Sequence, residues 1–174
     1  MPSYTHLAYR RNAKAAARKQ QIKKPKNQEA LLKAREDFGY FCEYVADKPP
    51  AEHHKTWHRH FVTNEDSSCL LKIAGPNVDL LAPRGSAKST VLGLLTAWAI
   101  GIHTQAKQPL QVLYLSYTVD IARSKSATIK RIIESKRYQE VFPKVRLLKN
   151  VTSNEYWSID HKFAGIDTTG EEQF

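Results

Sequence analysis

Apolar positions change their rhythm along this chain, and the changes mark out its elements. From Asn27 to about Val45 the residues Leu31, Ala34, Phe38, Phe41 and Val45 recur at three- and four-residue steps, which predicts one helix with one apolar face, capped by Asn27. Lys48-Pro49-Pro50 breaks it, and a second helix is expected from Ala51 to Phe61 with Trp57 and Phe61 on one side. After the polar turn Asn64-Glu65-Asp66-Ser67-Ser68, residues Cys69 to Ile73 read as a strand, Gly75-Pro76-Asn77 as a turn and Val78 to Leu81 as another strand. From Lys88 to about His103 the chain is apolar on most sides, as in a helix buried between layers. Val112-Leu113-Tyr114-Leu115 is a continuous apolar run of the kind found inside parallel sheets, and Val119 to Ser135 returns to a helical period, with Ile121, Lys125, Thr128 or Ile129, and Ile132 or Ile133 inward. Short strands are expected at Val145–Leu147, Tyr156–Ile159 and Lys162–Ile166. Strand, helix, strand, helix in this order predicts an α/β fold with a parallel sheet, preceded by a helical lead-in.

The chemistry concentrates between the strand at residues 78–81 and the apolar helix. Ala82-Pro83-Arg84-Gly85-Ser86-Ala87-Lys88-Ser89-Thr90 has the layout of a phosphate-binding P-loop, G-x-x-x-x-G-K-[ST], with Ala82 and Ala87 in the two glycine places. Backbone N–H groups at a helix N-terminus meet phosphate oxygens there, and small side chains let the ligand come close. Lys88 is placed for the β- and γ-phosphates and Ser89 for Mg²⁺. Arg84 adds a planar cation suited to bidentate phosphate contact. These residues make ATP and Mg²⁺ the expected cofactors. The plain alternative is a strand–turn–helix corner that happens to carry Lys-Ser.

Charge sharpens the picture. The 174 residues, about one domain, carry a net charge of +10, and residues 1–26 hold Arg10, Arg11, Lys14, Arg18, Lys19, Lys23, Lys24 and Lys26 with no acid. The other 19 basic and 17 acidic residues leave the body at +2. The basic tail is either an arm for nucleic-acid phosphates, a solvated leader, or an organelle transit peptide. Two cysteines, Cys42 and Cys69, make no disulfide framework, so a reducing compartment is expected. The longest apolar run, Val91 to Ile102, is too short for a bilayer span, and no secretory signal peptide is visible.

The loop at residues 82–90, the strand and turn Val112 to Thr118, and the following helix with Ala122 and Ile129-Lys130-Arg131-Ile132-Ile133 resemble the large terminase subunits of tailed bacteriophages, whose P-loop bears arginine and little glycine. The lead-in segment with His53, His54, Trp57 and His58 also fits, and the resemblance spans roughly residues 30–170. It implies a P-loop NTPase fold of the RecA/ASCE-like kind, and an ATPase motor that drives double-stranded DNA into a capsid in the host cytoplasm. It further implies a homo-oligomeric ring, a portal protein and a small terminase subunit as partners, and no membrane. Carried over by position, Lys88 and Arg84 would be catalytic. Pro83 to Thr90 would hold nucleotide, Ser89 the metal, and Trp57 and His58 would lie near the adenine. The division implied is a tail at 1–26, a helical lead-in at 27–66 and a partial ATPase domain at 67–174.

The family's second acidic motif, an apolar run ending in paired carboxylates, has no counterpart here: Leu113-Tyr114-Leu115-Ser116 ends in serine and Ile159-Asp160 lacks both the run and a second acid. A gene cut short, a split gene or a piece of a longer chain would each account for this. Hydrolysis by this polypeptide is therefore expected to be very weak or absent. The competing functions are a non-catalytic nucleotide- or DNA-binding remnant of a prophage gene, and an unrelated P-loop kinase. Kinases of that kind begin close to the loop strand, whereas about 78 residues precede it here. Among weaker signals, His54 and His58 at i, i+4 suit a shared metal or simply helix histidines. Asp120 suits a helix dipole better than catalysis. Lys125, Lys130, Arg131, Lys136 and Arg137 form a basic side that is either solvated or a DNA contact.

Overall fold

The computed structural model describes residues 28–63, 72–73 and 79–166. Its lead-in is two helices, not one: α1 (Gln28–Glu36) and α2 (Phe38–Ala46). The break falls at Asp37, whose extended backbone and carboxylate cap α2 by accepting from the Tyr40 N–H at 2.6 Å. A capping aspartate inside a continuous apolar period divides the helix without moving its buried face, so Leu31, Ala34, Phe38 and Phe41 are all buried as expected. Asn27, expected as the cap, lies outside the described residues. Helix α3 (Glu52–Phe61) follows the Pro-Pro break, and β1 (Val62–Thr63) pairs antiparallel with β2 (Lys72–Ile73).

Helix α4 (Lys88–Gln105) is the axis of the molecule. It is followed by α5 (Val119–Glu134) and α6 (Lys136–Val141), which meet at Ser135; its hydroxyl caps α6 by accepting from the Tyr138 N–H. The hairpin β3 (Leu147–Thr152) and β4 (Trp157–Ile159) is antiparallel. The last described element is α7 (His161–Ala164), ended by Gly165 at φ 71°. The strand expected at Lys162–Ile166 is thus mostly this short helix. Asp160 caps it, accepting from the Phe163 N–H, and so turns the chain where periodicity alone suggested extension.

The parallel sheet expected from the sequence is overturned. Among the described residues the strands form two separate two-stranded antiparallel pairs, and the body is mostly helical. Neither Asp79–Leu81 nor Val112–Leu115 is a strand, and Leu81 is 95% exposed and Leu113 82%. The layers that α4 needs come instead from helices. Its buried Val91, Leu94, Ala97, Trp98, Ile100 and Ile102 join one core with Phe38 and Phe41 of α2, Ile129 and Ile133 of α5, and Tyr138, Val141 and Phe142. An all-round apolar helix requires surrounding layers without specifying sheet or helix.

The packing is close. The Phe142 ring lies on Gly101, where an added Cβ would meet ring carbons at 2.5 Å. Phe41, Tyr138 and Phe142 meet with ring centroids 5.2–6.0 Å apart. The buried Tyr138 hydroxyl donates to Ala97 O at 2.8 Å and Trp98 Nε1 to Ala34 O at 3.1 Å, so both polar tips are satisfied. Cys42 is buried in the same core, and burial, with a smaller contribution from Asp37, pushes its thiol up to about 12.

Candidate phosphate-binding loop

Residues 83–90 fold into a turn that delivers α4 head-first. The Ser86 N–H donates to Pro83 O at 3.4 Å, closing a four-residue turn with Gly85 third in it at φ 85°. Positive φ at that position is the requirement of a type II turn, and glycine meets it without strain. Ala87, at φ 57° and ψ 18°, is also left-handed and sits at the N-cap of α4 with no side-chain cap. An alanine there is strained by roughly 1–2 kcal/mol relative to right-handed backbone. Gly85 and Ala87 are thus both at positive φ, on either side of Ser86.

The first turn of α4 is open. Ala87 O accepts from the Thr90 and Val91 N–H groups at 3.0 Å, while no acceptor among the described residues meets the N–H of Ala87, Lys88 or Ser89. Unfilled N–H groups at the positive end of an 18-residue helix form an electrostatic and hydrogen-bonding socket for an anion. Lys88 is half-buried, Ser89, Thr90, Arg84 and Pro83 are exposed, and the Ser86 hydroxyl is buried without a partner. The loop residues singled out from sequence are therefore brought together, with their open amides facing no protein group. ATP with Mg²⁺ fits this donor set: amides and Lys88 for phosphate oxygens, and the accessible Ser89 hydroxyl as a metal ligand.

Helix α3 supports the loop, through a different residue from the one expected. His58 stacks on Phe38 at 4.8 Å and meets Trp98 edge-on at 5.5 Å, so it belongs to the core. One turn earlier, His54 reaches the loop, with Nε2 2.8 Å from Ser86 O. Trp57 packs beside His53 and His54 at 5.0 Å from each. The two histidines at i, i+4 thus have separate tasks, and among the described residues no three His, Cys, Asp or Glu side chains form a metal site. The i, i+4 spacing was visible in sequence, but nothing local distinguished the histidine facing the core from the one facing the loop.

Of the cations expected to form a basic side, Arg137 lies on α6 and is committed elsewhere. Arg137 pairs with Asp47 and donates to Tyr44 O at 3.1 Å, while Arg123 pairs with Glu155 and with Asp120. Asp120 lies in the first turn of α5, where Thr118 Oγ1 caps the helix by accepting from the Ile121 N–H. Its place in the first turn is the one expected for the helix dipole, and the pair with Arg123 adds to it. Arg10, Arg11, Lys14, Arg18, Lys19, Lys23 and Lys24, expected to bind DNA, lie outside the described residues. A cleft of about 1100 Å³, whose lining includes none of residues 83–90, lies between residues 109–116 and the second half of α4, with Ile100, Ser126, Trp157 and His161 in its lining. Phosphate chemistry favours the loop over this cleft, because the loop groups its open amides with Lys88.

Comparisons of the chain with models of protein families, with curated proteins and with solved structures find no match. No helix among the described residues is long and apolar enough to cross a membrane.

Proposed function

We propose that residues 83–90 hold the triphosphate of ATP with Mg²⁺, and that the chain is the ATP-binding part of a terminase-type motor that packages double-stranded DNA in the host cytoplasm. The observation that carries the nucleotide reading is the open first turn of α4: amides of Ala87, Lys88 and Ser89 without protein acceptors, at a left-handed bend beside a lysine and a serine. The packaging role rests on the Arg84-bearing loop sequence and the segments that follow it. A ring of copies, a portal protein and a small terminase subunit are the partners this role requires. The basic tail would supply sequence-independent DNA affinity through phosphate contacts.

Binding and turnover are separable in this reading. Phosphoryl transfer to water requires a group that positions or deprotonates that water. The sequence offers no apolar run ending in paired carboxylates, which favours a second reading in which this polypeptide binds nucleotide and DNA without hydrolysing ATP. Isothermal titration with a non-hydrolysable ATP analogue and Mg²⁺, beside a phosphate-release assay, tests both. Binding is expected, lost on Lys88→Ala, with negligible release of phosphate. Absence of binding refutes the nucleotide reading, and Lys88-dependent steady turnover refutes the non-hydrolysing one.

A further inference from the structure

The geometry points to His54 as the residue that sets the phosphate loop in its binding conformation, and we propose that it acts through the peptide between Ser86 and Ala87. This inference rests on the nucleotide reading above. The Ala51 N–H donates to His54 Nδ1 at 3.2 Å, which makes Nδ1 the acceptor of the ring. In the neutral imidazole the proton then sits on Nε2, which donates to Ser86 O at 2.8 Å. One side chain thereby joins the first residue before α3 to the last turn before α4.

The consequence follows from peptide geometry. No described peptide bond is cis, so the carbonyl of Ser86 and the N–H of Ala87 point in opposite directions across one planar unit. Holding the carbonyl against His54 aims the Ala87 N–H away from the ring, on the open side of the loop where it has no acceptor among the described residues. Rotation of that peptide would withdraw this amide, and it would also release Ala87 from the left-handed conformation that costs it energy. His54 opposes that rotation. Its own position is fixed from the core, because His58 on the same helix stacks on Phe38 and meets Trp98 edge-on. The chain of contacts runs from core to His58, through α3 to His54, and on to Ser86 and the Ala87 amide. His54 is a positioning residue here and touches no phosphate itself.

Two substitutions separate the hydrogen bond from ring packing. In His54→Gln the amide nitrogen falls near the place of Nε2 and can still donate to Ser86 O. In His54→Phe the ring still packs beside His53 and Trp57 but donates nothing. Titration of the full chain with the Mg²⁺ complex of a non-hydrolysable ATP analogue, and separately with Mg²⁺–ADP, is the measurement, with thermal unfolding as control. A hydrogen bond of ordinary net strength predicts about a three- to tenfold loss of affinity for His54→Phe. The loss should be similar for both nucleotides, because the cradle serves phosphates common to both. His54→Gln should stay within about twofold of wild type, and neither change should lower the unfolding midpoint enough to account for the loss. Equal affinity of wild type and His54→Phe, or equal losses in both variants, overturns the positioning role while leaving the nucleotide reading intact. Failure of the wild-type chain to bind either nucleotide overturns the reading beneath it.

Discussion

The helical core and the apolar segments flanking α4 are built from the same kinds of residue and meet opposite fates. Phe41, Tyr138 and Phe142 are almost wholly enclosed, whereas Leu81, Leu113 and Leu115 stand in solvent. Sequence pattern separates the two only by period. The helices packed around α4 repeat every three to four residues, so each presents a stripe that covers the all-round apolar α4. The runs at 79–81 and 112–115 have no stripe and need a partner on each side, which no described residue supplies. Burial therefore depends on having a complementary surface as well as on hydrophobicity.

Substitutions should follow this contrast. The largest effect is expected for Phe142→Ala, which empties the space over Gly101 between Phe41 and Tyr138 and should cost about 3–5 kcal/mol in urea unfolding. Gly101→Ala approaches the same contact from the other side. Its methyl would need the Phe142 ring to move, and a loss of about 1–3 kcal/mol is expected in the same assay. The smallest effect should come from Leu113→Ser and Leu115→Ser, each within about 0.5 kcal/mol of wild type. A cost above about 2 kcal/mol for either leucine would break the comparison, because it would show that the segment is covered in solution.

Much of the local structure was legible in the sequence. The stripe Leu31, Ala34, Phe38, Phe41 and the extent of α5 follow from helical period, the extent of α4 from its continuous apolar run, and the turn before it from the small residues ahead of Lys-Ser. The layer around α4 was not legible. Four apolar residues in a row suit a buried strand or any covered segment, and only tertiary partners decide. The break at Asp37 was hidden because a capping aspartate can fall on the polar side of an otherwise regular period. His54 was hidden for a related reason. Its role depends on a hydrogen bond to a residue 32 positions away, and its neighbour His58 carries the same chemistry at the same helical spacing.

The central claim is that the open amides at the head of α4 hold phosphate. The most direct measurement is a ¹H–¹⁵N spectrum of the full chain, recorded while the Mg²⁺ complex of a non-hydrolysable ATP analogue is added. The account predicts that the amides of Ala87, Lys88 and Ser89 move most, that inorganic pyrophosphate moves the same three, and that the spectrum of Lys88→Ala is unchanged by either. Shifts centred on the cleft between residues 109–116 and α4, with those three amides still, would contradict it.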